Sequence, residues 1–188
     1  MHSYQDAHGR LPTAVVYGNN GEPLLSWRVS LLPYIEQNEL FKQFRLDEPW
    51  DSPHNNQLLP QMPVIYALPP RKMRLLPAYH TVCHVFVGKG AAFEGRNGLR
   101  FPEDFPDGSS NTILLIEAGK PALWTKPEDL VYDPDQPLPE LTCIFSDGFR
   151  IALGDGSSRW VPKGISETTL RAAITRNGGE KFGPDWFE

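Results

Sequence analysis

The sequence predicts an α+β fold, an antiparallel sheet with short helices packed on one face and many Pro/Gly-rich loops. Three observations predict it. Helix signals gather in a Pro-rich first half, residues 1–77, and strand signals in the second, residues 78–188. The 188 residues hold 19 prolines and 16 glycines, well above the ~12% usual for the two together, so helices are short and turns frequent. Asp155-Gly156 sits between two short strand candidates, Arg150–Leu153 and Ser158–Val161, and Asp-Gly suits the positive-φ turn that joins antiparallel strands. The length fits one domain, 1–188, with 40% hydrophobic residues for its core.

Each element has a local reason. Residues 1–12 read as a short helix ended by Gly9 and Pro12. Gly18-Asn19-Asn20-Gly21 is a turn cluster inside Val15–Pro23. Ser26 caps a helix from Trp27 with Leu31, Leu32 and Ile35 on its apolar stripe, and Pro33 breaks or kinks it. Asn38 caps a second short helix carrying Leu40, Phe41 and Phe44. Asp51 or Ser52, followed by Pro53, starts a third that runs from His54 to Leu59 and stops before Pro60. Pro60–Pro77 is irregular, with a basic Arg71-Lys72-Met73-Arg74 stretch.

In the second half, His80–Val87 and Thr112–Ala118 are strand candidates rich in Val, Ile and Leu. Lys89–Asp107 and Pro121–Pro139 read as loop. Residues 150–154 and 158–162 complete the expected sheet around Asp155-Gly156. Ser166 caps a final helix, Glu167–Arg176, that Gly178-Gly179 ends.

The formal charge of −5, with no Lys/Arg cluster that makes a phosphate track, argues against nucleic acid as a partner. No apolar run approaches the ~18 residues of a spanning helix. Cys83 and Cys143 admit either one disulfide or two buried thiols, and their separation is no zinc spacing. His80 and His84 share a strand face, but four residues of strand put their Cα atoms ~13 Å apart, too far for one ion. No metal and no cofactor is assigned.

The densest polar cluster is Asp47-Glu48-Pro49-Trp50-Asp51-Ser52-Pro53-His54-Asn55. Its carboxylates suit a hard cation, yet the mid-loop Gly and closing Glu of an EF-hand loop are missing. A structural role is expected instead: Trp50 buried in the core, and Asp51 or Ser52 capping. Asp107-Gly108-Ser109-Ser110-Asn111-Thr112 lacks the Gly-Lys-Ser/Thr ending of a phosphate loop. It reads as a turn stapled by Asp and Asn side chains. Glu117 follows an apolar run and needs a cationic or N–H partner if buried, with Arg28 or Arg159 as candidates. Asp155 is expected to be a turn residue, not an acid or base.

Nucleophilic catalysis has no signature: there is no Gly-x-Ser-x-Gly, and neither cysteine has a reactive context. The five Trp are widely spread and are expected to pack rather than line a sugar cleft. The candidates for ligand or partner contact are thus Trp27, Arg28, Asp47, Trp50, Asp51, His54, Asp107, Asn111, Glu117 and Asp155.

Several stretches resemble a large paralogous family from planctomycete bacteria, filed as a domain of unknown function and also as a solute-binding family. They are Tyr4-x-Asp6-x-x-Gly9-x-x-Pro12, Ser26-Trp27-Arg28-x-x-Leu31-Leu32-Pro33-Tyr34-x-Glu36-Gln37 and the Asp47–Asn55 cluster. Asp107–Thr112, Trp124–Leu130, Asp155-Gly156-Ser157 and Thr175–Glu180 agree with it. The resemblance implies a pilin-like domain behind a prepilin-type leader and an apolar helix, exported to the cell envelope or beyond. It also implies a His, nine residues, then Asp-Gly. Asp155-Gly156 matches, but Phe145 stands at the His position. Residues 1–8 are then expected to be the end of a longer anchoring helix, and the membrane is reached only through that helix.

The function expected from the resemblance is noncatalytic and pseudopilin-like, with protein partners in assembly or secretion. The alternative is an extracellular module for a small ligand, and a hydrolase stands a distant third. A deep apolar pocket with convergent polar groups discriminates the second, and a nucleophile–base pair the third.

Overall fold

Residues 1–69, 72, 75–141 and 147–186 are described by a computed structural model, and they carry mixed helices and mainly antiparallel sheet, an α+β architecture. Arg71, Met73 and Arg74 of the basic stretch, Cys143 and Phe145 lie outside the described residues. The chain forms two compact units. Unit 1 is Met1–Val82, Arg96–Gly98 and Pro121–Glu128; unit 2 is Cys83–Gly95, Leu99–Lys120 and Asp129–Glu188.

Unit 1 opens on helix α1, His2–His8, which Gly9 ends in the left-handed conformation. No residue of α1 is buried. A helix this short has no stability of its own, so its amides should exchange far sooner than those of residues 113–118 in a native-state hydrogen-exchange experiment. Equal protection would contradict the weak docking. Strands β1, Val15–Tyr17, and β2, Pro23–Ser26, then pair antiparallel across the Gly-Asn-Asn-Gly turn, a hairpin where the sequence signalled only a turn.

Helix α2, Trp27–Ser30, starts at Ser26, whose hydroxyl accepts from the Arg28 N–H at 3.3 Å. Pro33 breaks the run as expected, and Leu32–Ile35 continues as 3-10 helix. Helix α3, Asn38–Phe41, begins at Gln37 instead of being capped by Asn38. Two corrections follow. The third helical piece is a 3-10 helix, Asn55–Gln61, and Pro60 lies inside it rather than beyond its end. Trp50 is only half-buried, its N–H donating to the Leu24 carbonyl at 2.8 Å and its ring 5.6 Å from the Lys126 ammonium.

The core of unit 1 is built instead around Trp124. That ring is fully buried, stacks 6.1 Å from Tyr66 and meets the edge of Phe44 at 5.7 Å. Its indole N–H donates to the Leu59 carbonyl at 3.0 Å. Trp27 meets Tyr66 edge-on at 6.0 Å.

The main sheet contains β3, His80–His84; β5, Ile113–Leu123; β7, Gly148–Leu153; and β8, Ser158–Pro162, in the order β3-β5-β7-β8. These are the strands the sequence predicted, with two differences. β3 stops at His84, and β5 runs on to Leu123 into the stretch read as loop. The remainder of the expected first strand is a separate element, β4, Phe86–Gly88, which pairs in parallel with β6, Leu130–Tyr132. Gly88, at φ 148°, leaves no room for a Cβ against the Tyr132 carbonyl.

β7 and β8 are antiparallel, with Ala152 opposite Ser158. The turn between them holds Gly156 at φ 86°. A Cβ there would meet nothing within 4 Å, so Gly156→Ala tests the backbone alone. It should destabilise by about 1 kcal/mol. A denaturant midpoint equal to the parent's would refute the strained-turn reading.

Helix α4, Glu167–Ile174, is capped by Ser166, which accepts from the Thr169 N–H at 3.3 Å. It ends at Ile174 because Thr175 is extended and bridges to Ala91, not because of Gly178-Gly179. Leu170, Ala173 and Ile174 join Phe86, Ile116, Phe149, Ile151 and Val161 in the core of unit 2. Asp185 ties down the chain after α4. Its carboxylate accepts from the Ser166 N–H at 2.6 Å and the Thr169 hydroxyl at 2.5 Å, which holds its pKa down to about 2.

Candidate functional site

Unit 1 holds a groove of about 580 Å³, and local sequence explains most of its walls. On α1, Tyr4 and His8 are one helical turn apart and stack at 4.2 Å. The 3-10 turn after α2 presents Tyr34, whose hydroxyl lies 2.7 Å from His8 Nε2 and whose ring meets Tyr4 at 5.3 Å. Partial burial and the neighbouring Tyr34 raise the Tyr4 phenol above its ordinary pKa. Val15, Val16 and Tyr17 of β1 and Phe41 of α3 also line the groove.

Arg96 completes the groove from far along the chain. Its guanidinium lies 4.2 Å from the centroid of the Tyr17 ring, a cation–π contact. The backbone places it: Gly98, at φ 64°, passes tightly against the Leu11 carbonyl, and Arg10 donates to the Asn97 carbonyl at 3.4 Å. Among the described residues no aspartate or glutamate lines this groove. Tyr17 and Leu46 also border a second hollow of about 540 Å³, which contains Glu22 and Asp47.

The residues singled out from the sequence fall elsewhere, with one exception. Asp47 is exposed and borders the second hollow. Trp27 and Arg28 are buried in unit 1, the guanidinium 4.7 Å from the Trp27 ring and donating to the Ser26 hydroxyl at 2.7 Å. Neither Asp51 nor Ser52 is the N-cap expected: the 3-10 helix starts after His54 with no side-chain cap, Pro53 lies ahead of it, Asp51 is exposed, and the Ser52 hydroxyl accepts from the Asn55 N–H at 3.1 Å. His54 Nε2 lies 2.8 Å from the Gln43 carbonyl.

The sequence reading passed over Asn55, which organises the whole cluster. It is fully buried. Its Oδ1 accepts from the Arg45 N–H at 3.0 Å, and its amide faces the carbonyls of Arg45, Glu48 and Pro49 at 2.9, 3.1 and 3.1 Å.

In unit 2, Asn111 staples its turn by donating to the Asp107 carbonyl at 2.8 Å. Asp107 also fastens the chain after α4, its carboxylate accepting from the Gly179 N–H at 3.1 Å. Asp155 accepts from the Ser157 N–H at 2.9 Å and its hydroxyl at 2.6 Å, which lowers its pKa. Glu117 is half-buried, and desolvation raises its pKa against the opposing pull of Arg150 on the neighbouring strand. Arg150 takes the place the sequence offered to Arg28 or Arg159.

His80 Nδ1 lies 2.8 Å from the Ala78 carbonyl, and His84 lies buried between the Lys120 carbonyl at 2.9 Å and Asp129 at 3.5 Å. Among the described residues no group of three His, Cys, Asp or Glu side chains is placed to hold a metal ion, and no helix is long and apolar enough to cross a membrane.

The signal for the groove was partly visible. Tyr4 and Tyr34 belong to the family-like motifs, and Tyr4 and His8 stand four apart. Arg96 carried none, since its partner is Tyr17.

No curated protein matches the chain, and no solved structure does. A family model does match, and its span ends one residue beyond Val82, where the long first segment of unit 1 closes. The motifs after that point lie outside it. Residues 1–83, with the Tyr4, Ser26–Gln37 and Asp47–Asn55 motifs, match the family described as Protein of unknown function (DUF1559), whose model bears the solute-binding label SBP_bac_10.

Proposed function

We propose that this protein is a noncatalytic binding module that works outside the cytoplasm and holds a small solute in the groove of unit 1. The observation that carries the proposal is the groove itself. Its volume of about 580 Å³ lies within the ~300–1,000 Å³ of small-molecule sites. Rings and aliphatic side chains make up much of its lining, and its polar groups are His8 and the Tyr34 hydroxyl, 2.7 Å apart, the Arg96 guanidinium over Tyr17, and the side chains of Thr13 and Ser30. The solute-binding label of the matching family and the exported location implied by the resemblance support it. A fragment screen by protein NMR should find compounds that shift the resonances of Tyr4, Tyr17 and Tyr34, and Tyr34→Ala should abolish those shifts. A screen whose hits all leave these tyrosines unmoved would refute the proposal.

A pseudopilin-like role in assembly is the second reading. It is favoured by Val64 and Ile65, adjacent on one 3-10 turn and 87% and 66% exposed, because paired aliphatic side chains in water suit a protein contact. Sedimentation of the parent against Val64→Glu/Ile65→Glu tests it. Self-association lost in the variant supports this reading, and a parent that stays monomeric at high concentration counts against it.

A further inference from the structure

We infer that the groove of unit 1 selects a monocarboxylate with an apolar, ring-sized body, and that Arg96 is the residue that selects it; the inference rests on the solute-binding reading above. Three observations converge. The first is charge. The chain is acidic, at −5, yet among the described residues the groove lining contains Arg96 and His8 and no carboxylate. Among the described residues no ion pair within 4.0 Å reaches Arg96. Two other exposed arginines, Arg45 and Arg100, are each closed by a carboxylate, at 2.8 and 3.1 Å.

The second is placement. A solvated surface arginine is ordinarily free to wander. Arg96 is packed over Tyr17 at 4.2 Å on a backbone segment fitted against Arg10 and Leu11. Stacking on a ring occupies a guanidinium face and leaves its in-plane N–H groups to grip both oxygens of a carboxylate. Val15 and Val16 line the same groove as Tyr17 and Arg96, which offers apolar surface to the body of an anion held there.

The third limits the charge to one. The adjoining hollow, which shares Tyr17 and Leu46 with the groove, holds Glu22 and Asp47. A second anionic group extending that way would meet like charge.

The test uses three probes with one aromatic body and three charges: indole-3-acetate, indole-3-acetamide and tryptamine, titrated into the full chain by NMR. The acetate should bind at least tenfold tighter than the amide, and tryptamine weakest. Arg96→Gln should weaken the acetate far more than the amide, so that the two bind alike. Arg96→Lys should recover part of the loss, because it restores charge without the planar fork. Amide and acetate binding equally, with both lost in Tyr34→Ala, would overturn the carboxylate inference and leave the groove as a solute site. Acetate binding that survives Arg96→Gln would overturn it as well. None of the three probes shifting Tyr17 or Tyr34 at millimolar concentration would overturn it too, and the fragment screen then decides the broader reading separately.

Discussion

Replacing Trp124 with alanine should destabilise unit 1 by about 3–5 kcal/mol, the range for emptying a fully buried large aromatic site. The ring is packed against Tyr66 and Phe44, so its removal leaves a cavity lined by two further aromatics. The Leu59 carbonyl also loses its indole donor. Trp124→Phe separates the two effects: it keeps much of the packing and removes the hydrogen bond, so about 1–2 kcal/mol of loss should remain. Urea unfolding followed by hydrogen exchange of unit 1 amides measures both. Trp50→Ala is the control. Its half-buried ring should cost clearly less than Trp124, although the sequence pointed to Trp50 as the core residue. A larger loss at Trp50 would show that the core of unit 1 has been misplaced.

The second large effect is expected at Asn55. Asn55→Ala removes a donor from the carbonyls of Arg45, Glu48 and Pro49 and an acceptor from the Arg45 N–H. Leaving such buried groups unsatisfied should cost about 2–3 kcal/mol. Asn55→Asp should be worse, although it is nearly the same shape. One oxygen still accepts from the Arg45 N–H, but the other, now carrying charge, replaces the amide in front of three carbonyls. The ordering Asn55, then Ala, then Asp in falling stability is the signature of a donor that cannot be replaced by an acceptor. An Asp variant more stable than the Ala variant would refute that account. Calcium should raise the stability of neither the parent nor Asp51→Asn, since Asp51 is exposed and engaged in no cluster of ligands.

The Asp47–Asn55 stretch shows where sequence reading succeeds and where it stops. That Ser52 fastens this segment was legible, because its hydroxyl accepts from an N–H only three positions on; that the 3-10 helix starts after His54 with no side-chain cap was not. That Asn55 is the brace was not legible. Its partners, Arg45, Glu48 and Pro49, come within reach only when the loop has already closed. The same contrast holds at the hairpin of β7 and β8. Asp155-Gly156 determined its own turn, since positive φ and an Asp side-chain bond to Ser157 are local properties.

Strand positions 113–118, 150–153 and 158–162 followed from apolar runs bounded by turns, and the family-like motifs of the first 83 residues were readable as a family match. These belong to the sequence alone. The parallel pairing of β4 with β6, three residues each, did not follow from it. So short a strand is defined by its partner, not by its own alternation. Arg150, rather than Arg28 or Arg159, influences Glu117 because the register of β5 on β7 decides which cation is near. The groove belongs to the tertiary structure most of all. Tyr4, Tyr17, Tyr34 and Arg96 are scattered along the chain, and only the packing of Arg96 over Tyr17 turns them into one surface. Local preferences of a few tenths to one kcal/mol can be read residue by residue; which distant side chains meet is decided by burial and packing of the whole unit.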